Sequence, residues 1–249
     1  IIRKVIKIAS VKGDIKENTI YLRISSFSEQ TFSGLKKEMK KMMGELNDNA
    51  NGIILDLRGN PGGLLSQAIK VSDAFLDQGE IVSTRGRKKN DSQRYNARRG
   101  DLGKGLPIIV LINRGSASAS EIVAGALQDH GRALIMGTKS FGKGSVQTIM
   151  PITDFGALRL TTSLYYTPSG ISIQAKGITP DIIIEQVKLD TEDSSEFRNE
   201  SNLRNHIEAD EIKDSEKQNN KKIINSDYQL SRAIDMLRGI KIFEKNKEN

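Results

Sequence analysis

Two nearly unbroken apolar runs constrain the fold of this chain more than any other feature. Residues 52–57 are apolar except for Asp56, and residues 106–112 are apolar throughout. Runs of this kind are typical of strands that are buried on both faces of a parallel sheet. Helical spacing of apolar residues follows each run, at 64–76 and at 121–127. Strands that alternate with helices in this order predict an α/β domain with crossover helices.

Shorter patterns complete the predicted order of elements. Ser28 is predicted to cap a helix whose apolar residues recur at three- and four-residue steps up to Leu46. Residues 188–222 are dense in polar and charged residues, which is typical of a linker or a weakly ordered extension, and residues 223–249 are predicted to end the chain as a helix. Further strands are predicted at residues 5–11, at 20–24, after Gly79, at 133–136, within 145–166 and at 182–187.

Length and composition exclude several classes of protein. The 249 residues allow one large domain or two small ones. The absence of Cys excludes a disulfide scaffold, a Cys-ligated zinc site and a thiol nucleophile. No apolar run approaches the ~18–20 residues of a membrane span. The chain opens on Ile1-Ile2-Arg3-Lys4, without a start Met or a signal peptide, so we expect a piece of a longer protein or a processed form.

Most of the net charge of +7 is concentrated between Arg85 and Lys104, where eight basic residues stand against two acidic ones. Such a cluster could bind the phosphates of a nucleic acid. Only Tyr95 could stack on a base, however, and surfaces that bind RNA or single strands usually offer several aromatic side chains. We therefore interpret the segment as a solvated, mobile loop and expect no nucleic-acid partner.

Three stretches of small and polar residues, each directly after a predicted strand, are the candidates for chemistry. Ligands of parallel α/β sheets bind beyond the carboxyl ends of the strands, so the three are expected to converge on one cleft. The stretches are Asp56-Leu57-Arg58-Gly59-Asn60-Pro61-Gly62-Gly63, Gly115-Ser116-Ala117-Ser118-Ala119-Ser120-Glu121 and Gly137-Thr138-Lys139-Ser140-Phe141-Gly142-Lys143-Gly144-Ser145-Val146-Gln147.

The third stretch is close to a phosphate-binding loop. Its glycine and lysine spacing satisfies most of that motif, but Gly144 stands where Ser or Thr must hold magnesium. The loop must also open a helix, whereas β-branched residues and Pro151 follow here. A nucleotide-binding function is therefore only a remote alternative.

The second stretch offers a serine nucleophile. Ser118 at a strand-to-helix turn would lie beside free backbone N–H groups and the positive end of the helix dipole. Ser118 followed by Glu121 equally fits a capping box. The two histidines are poor bases for it, because His206 lies in the polar extension and His130 is expected at the far end of the following helix.

A lysine is the alternative base. Lys143 stands among small residues, and it could accept a proton only where burial or nearby positive charge disfavours its charged form. Gln147 lies four residues later, on the same side in a strand or a helix, and could orient the lysine amine. In the first stretch, Gly62 and Gly63 could turn a backbone N–H toward a substrate, or simply form a glycine turn.

In their order and spacing, the three stretches resemble those of the C-terminal processing peptidases, also called tail-specific proteases. Thr167-Pro168-Ser169-Gly170 and Gly177-Ile178-Thr179-Pro180-Asp181 match further signatures of that family, and the resemblance covers about residues 19–185. It implies an α/β peptidase core of repeated strand–strand–helix units, similar to crotonase and Clp folds, at residues 13–187. It also implies a serine endopeptidase that uses a Ser–Lys dyad and needs no cofactor and no metal. The nucleophile falls on Ser118 and the base on Lys143, which Gln147 assists, and the backbone N–H groups of Gly63 and Ala119 form the oxyanion hole.

The same resemblance sets the expected partners and location. Members cut proteins with accessible C-terminal tails, typically in the bacterial periplasm or another exported space. They carry a PDZ domain that captures the tails, and residues 1–12 would be only its last strand. We therefore expect a fragment, and the family leaves room for homo-oligomers and for peripheral membrane association through an N-terminal segment. A tail-binding module that does not cut is the main alternative function.

Overall fold

The computed structural model describes residues 9–47, 49–88, 91–152, 156–187 and 227–247. In chain order the strands are β1 (Val11–Lys16), β2 (Thr19–Ile24), β3 (Gly52–Asp56), β4 (Glu80–Gly86), β5 (Gln93–Asn96), β6 (Ile108–Ile112), β7 (Ala133–Gly137), β8 (Ser145–Ile152), β9 (Gly156–Tyr166) and β10 (Ile182–Ile183). The helices are α1 (Thr31–Glu45), α2 (Leu65–Asp73), α3 (Ala119–Asp129) and α4 (Tyr228–Lys245).

The larger sheet has six strands in the order β1-β2-β3-β6-β7-β10. The β1–β2 hairpin is antiparallel and every other pair is parallel, which confirms the predicted α/β class. Every residue of β3 and β6 is buried, because helices cover both faces of the sheet. This burial explains why the two central strands are continuous apolar runs rather than alternating ones.

Alternate side chains of the central strands enter two different cores. Ile53 and Leu55 face the main core, together with residues of α1, α2 and α3. Ile54 and Ile109 face the opposite side, where Leu237 and three further residues of α4 cover them. The predicted C-terminal helix therefore packs on the outer face of the sheet.

The smaller sheet is antiparallel, in the order β5-β4-β9-β8. The basic segment contributes the end of β4 and all of β5 to it, so its interpretation as a loop throughout is wrong. Tyr95 explains the difference, because this side chain packs against the main core while its charged neighbours stay exposed. One apolar anchor and a cross-strand partner are enough to order a strand that its composition predicts to be loop.

The start of the first helix and the first strand differ from those predicted. Ser28 does not cap α1, whose N-cap is Gln30; the N–H of Ser28 instead donates to Thr31 Oγ1 at 2.8 Å. β1 was not predicted, and the strand predicted at 5–11 falls mostly outside the described residues. The polar segment 188–222 lies outside them entirely. In the described part of the chain, no helix has the length and apolar character needed to cross a membrane.

Candidate active site

The turn after β3 is fixed by one fully buried amide side chain. Asn60 donates through Nδ2 to the carbonyl of Ile24 at 2.9 Å, and its Oδ1 accepts the N–H of Gly62 at 2.9 Å. Its own carbonyl accepts the N–H of Ala117 at 3.0 Å and the hydroxyl of Ser120 at 2.9 Å. Asn60 therefore joins the first predicted stretch to the second.

A buried ion-pair network around Arg58 also holds this turn. Arg58 donates to Asp56 at 2.7 and 2.9 Å and to Asp227, the N-cap of α4, at 2.6 and 2.8 Å. Burial alone would raise the pKa of Asp56, but the hydrogen bonds and charge of Arg58 outweigh it, and the pKa lies below its ordinary value. Burial and the Asp56 carboxylate raise the pKa of Tyr21 to about 12.

Only glycine fits where this turn meets the second stretch. A Cβ on Gly62 would lie 2.8 Å from Ser118 Cβ and 3.0 Å from the backbone nitrogen of Ala119, and φ is +103°. Gly63 has φ +144°, and a Cβ there would meet the carbonyl of Phe27. Close backbone approach, rather than an ordinary turn, therefore requires the two glycines.

Ser118 occupies the N-cap of α3 in an unusual conformation, with φ 55° and ψ −111°. A non-glycine residue in such a region stores about 1–3 kcal/mol of strain, and residues of this kind cluster at functional sites. The hydroxyls of Ser116 and Ser120 are committed to backbone carbonyls, whereas Ser118 is the partly exposed serine of the three. Glu121 accepts the N–H of Ser118 at 2.7 Å, so the predicted cap position and the predicted nucleophile position coincide.

Two backbone N–H groups at this point have no acceptor within the described residues. They belong to Gly63 and Ala119, which were predicted as oxyanion-hole donors. The first follows a glycine packed against Ser118, and the second opens α3 directly after Ser118. Unpaired N–H groups at a helix start are suited to a developing negative charge.

The third stretch reaches the same place through the side chain of Glu121. This carboxylate is completely buried and accepts the N–H groups of Gly142 and Lys143 at 2.6 and 2.9 Å. Lys143 itself is partly buried. As predicted, the loop then enters strand β8 at Ser145 and not a helix, so the remote phosphate-binding alternative lacks the helix N-terminus that it needs.

Gln147 and the histidines complete the set of predicted residues. Gln147 is exposed on β8, and the pairing register with β9 shifts beside it, because β9 has one extra residue opposite the step from Val146 to Gln147. Lys143 precedes β8, which begins at Ser145, so strand alternation alone does not relate its side chain to that of Gln147. His130 ends α3 as predicted, with Nε2 2.7 Å from the carbonyl oxygen of Glu80. His206 lies outside the described residues.

Sequence reasoning missed Glu121 and Asn60 as organisers of the site. Glu121 was interpreted only as the partner in a helix cap, and Asn60 only as a turn residue. Their position within the motif stretches could have marked both residues as candidates. Their role as organisers depends on hydrogen bonds between segments, which the sequence does not show. Among the described residues, no cluster of three or more His, Asp or Glu side chains could hold a metal ion.

Comparison with known proteins finds relatives over most of the chain. The model of Peptidase family S41 matches residues 18–184. The chain is 54% identical over 246 residues to a Carboxy-terminal-processing protease of Bartonella bacilliformis, a match that covers 96% of this chain and 56% of that protein. It is 40% identical over 167 residues to a Carboxyl-terminal-processing protease of Synechocystis, covering 67% of this chain and 38% of that one.

A solved structure shows the same architecture. The photosystem II D1 C-terminal processing protease superposes with a TM-score of 0.65 at 29% identity, over 74% of this chain and 50% of that one. The chain thus spans about half the length of the Bartonella protein and of this solved chain, 56% and 50%. It belongs to peptidase family S41, which confirms the resemblance to C-terminal processing peptidases that its three motifs carry.

Proposed function

We propose that this chain is the catalytic core of a serine endopeptidase that cuts proteins near their C-termini. The observation that carries the proposal is the convergence of three segments on Ser118. The Gly62–Gly63 turn packs against it, α3 begins directly after it, and its N–H and that of Lys143 donate to the same oxygen of Glu121. A strained serine with a lysine segment and unpaired N–H groups beside it is suited to acyl transfer.

In the proposed reaction, Ser118 Oγ attacks the carbonyl carbon of the scissile peptide while Lys143 Nζ takes the hydroxyl proton. The negative charge on the former carbonyl oxygen is stabilised by the N–H groups of Gly63 and Ala119. The C–N bond then breaks, and Lys143 gives its proton to the leaving amine. Water, deprotonated by Lys143, attacks the resulting ester and releases the new C-terminus and the free Ser118 hydroxyl.

The proposed role of Gln147 is to orient the amine of Lys143 through a hydrogen bond. Its amide oxygen could accept from the amine without holding it charged, as a carboxylate would. The exposed position on β8 gives this side chain the freedom to turn toward Lys143 when substrate binds. We assign it to the working state of the enzyme.

The proposed substrates are proteins with accessible C-terminal tails, in keeping with the names of the relatives above. Capture of the tail by a PDZ domain, action in the periplasm or another exported space, self-association and peripheral membrane attachment are proposed for the whole protein. They follow from the family and not from the residues of this chain.

A serine-reactive phosphonate and a tail peptide test the proposal together in the intact protein. We expect labelling of Ser118, and loss of both labelling and cleavage in Ser118→Ala. Lys143→Ala is expected to keep the fold and lower the cleavage rate by at least about 10²-fold, the size of a general-base contribution. Lys139→Ala, an exposed lysine of the same loop, is the matched control and is expected to cleave normally.

An undiminished cleavage rate in Lys143→Ala contradicts the dyad. Tight binding of the tail peptide by a protein that neither reacts with the phosphonate nor cuts supports the non-catalytic alternative.

A further inference from the structure

The proposed reaction makes no use of a buried acid that lies at its centre. Glu121 has no exposed surface, and it sits in the first turn of α3 directly behind the nucleophile. Burying an ionisable carboxylate is costly unless it is well hydrogen-bonded. Its partners therefore indicate why it is there.

Among the described residues, four hydrogen bonds reach this carboxylate, and all come from the two segments that carry the proposed dyad. Oε2 accepts the N–H of Ser118 at 2.7 Å and the N–H of Lys143 at 2.9 Å. Oε1 accepts the hydroxyl of Ser140 at 2.6 Å and the N–H of Gly142 at 2.6 Å. One side chain on α3 thus binds the backbone at the nucleophile and the loop that leads to the lysine.

We propose that Glu121 is a positioning residue, whose carboxylate sets the distance between Ser118 and Lys143. This inference rests on the proposed function, because it assigns a role within the same reaction. A helix cap alone would need only the bond to Ser118. The three further donors lie 19 to 22 residues later in the chain, and they bring the Lys143 loop to the start of α3.

The chemistry of the donor set accounts for the choice of a carboxylate. Every partner is a donor, and each oxygen of Glu121 accepts from two of them. A carboxylate offers only acceptors, whereas an amide offers one acceptor oxygen and one NH₂ group. Whichever way a glutamine is turned, its NH₂ group faces at least one backbone N–H group, that of Gly142 on one side or those of Ser118 and Lys143 on the other. Glu121→Gln therefore preserves the volume of the side chain and loses the acceptor at one of the two oxygens, either the one that binds Ser118 and Lys143 or the one that binds Ser140 and Gly142.

The hydrogen bond from Ser118 to Glu121 also helps to hold the strained backbone of Ser118. A left-handed backbone is retained only where its surroundings impose it. The Ser118 N–H bond to Glu121 is one such constraint, and the carbonyl of Ser118 accepts the N–H groups of Glu121 and Ile122 at 2.9 and 3.0 Å. Loosening the carboxylate therefore frees the nucleophile and the base together.

The test is Glu121→Gln in the intact protein, assayed for tail-peptide cleavage and phosphonate labelling. We expect kcat to fall about 10–100-fold, because misplacement of reacting groups by ~1 Å costs about that much. KM is expected to change less than about twofold, because Glu121 does not contact the substrate. Leu237→Ala, a core truncation on α4 far from the site, is the matched control, with stability measured alongside and all assays run below the melting transition.

The outcomes separate this inference from the proposed function. If Ser118→Ala and Lys143→Ala are inactive while Glu121→Gln keeps its kcat, the positioning role is wrong and the dyad stands. If Leu237→Ala loses as much kcat at equal loss of stability, Glu121 is only structural. If Lys143→Ala is fully active, the proposed function itself fails.

A second variant covers the case in which Glu121→Gln does not fold. Ser140→Ala removes one donor from Oε1 and leaves the bonds to Ser118 and Lys143 in place. It also removes the acceptor of the Ile178 N–H at 2.7 Å, so its stability is measured as well. We expect a slower labelling rate of Ser118, by about 3–10-fold, from a looser Lys143 loop. An unchanged rate overturns the positioning role.

Discussion

Asp227 connects α4 to the turn that carries the proposed oxyanion hole, and Asp227→Ala tests how firmly that connection holds. Its carboxylate accepts two hydrogen bonds from Arg58, at 2.6 and 2.8 Å, and one from the N–H of Leu230 at 3.1 Å. The substitution removes both an ion pair and a helix N-cap.

The expected magnitude follows from these two losses. Loss of an N-cap costs about 1 kcal/mol. The side chains of Arg58 and Asp227 are 9% and 26% exposed, so the energy of their ion pair is expected to lie between that of a surface pair and that of a buried pair. Arg58 keeps Asp56 and Gln229 as partners, so its charge is not left unpaired, and we assign about 1–2 kcal/mol to the pair. Asp227→Ala should therefore lower the free energy of unfolding by about 2–3 kcal/mol.

Urea unfolding followed by far-UV circular dichroism measures this change, because the chain has no Trp for fluorescence. Asp227→Asn retains a good capping side chain and loses the charge, so it should cost only about 1–2 kcal/mol. Asp235→Ala is the matched control on the same helix. Its pair with Arg232 is exposed, and its loss should cost less than about 0.5 kcal/mol.

Two results would refute the reasoning. A cost below about 1 kcal/mol for Asp227→Ala means that the network does not hold α4 in place. Equal costs for Asp227→Asn and Asp227→Ala mean that the cap contributes nothing and the charge everything.

Two further predictions concern the turn and its pH dependence. Gly62→Ala should lower kcat about 10²–10³-fold, because its Cβ would displace the turn from Ser118. Gly59→Ala lies in the same turn with open space around it; its φ of +67° costs an alanine about 1–2 kcal/mol of stability, but it should retain activity in the cleavage assay. Similar losses in both variants would contradict the steric argument. Arg58 holds the pKa of Asp56 below its unfolded value, so the stability from Asp56 should be complete above about pH 5 and lost as the pH falls through the folded value. Urea unfolding between pH 2 and 7, chosen as roughly the range of carboxylate titration, should show a shallower acid dependence in Asp56→Asn, and an unchanged slope would contradict this assignment.

Much of the fold could be predicted because its pattern is local. The apolar runs at β3 and β6 predict strands that are buried on both faces. The helical spacing of apolar residues between 64 and 76 predicts α2. β5 could not be predicted, because it has one packed tyrosine among polar and charged residues. Its strand conformation depends on pairing with β4, which the local sequence does not show.

The candidate site divides in the same way. Its three motif stretches follow strands, and the rule that strand ends converge was sufficient to place Ser118 and Lys143 in one region. The distance between their segments could not be predicted, because it depends on hydrogen bonds to a buried carboxylate from residues far along the chain. The register shift beside Gln147 likewise depends on how β8 pairs with β9.

The sequence by itself determined which stretches are candidates for the chemistry, since residue type and local spacing carry chemical identity. The tertiary structure alone decided which of them touch. Glu121 binds groups up to 22 residues away and Arg58 reaches across 169 residues to Asp227, and such contacts exist only after the sheet has brought the ends of its strands together.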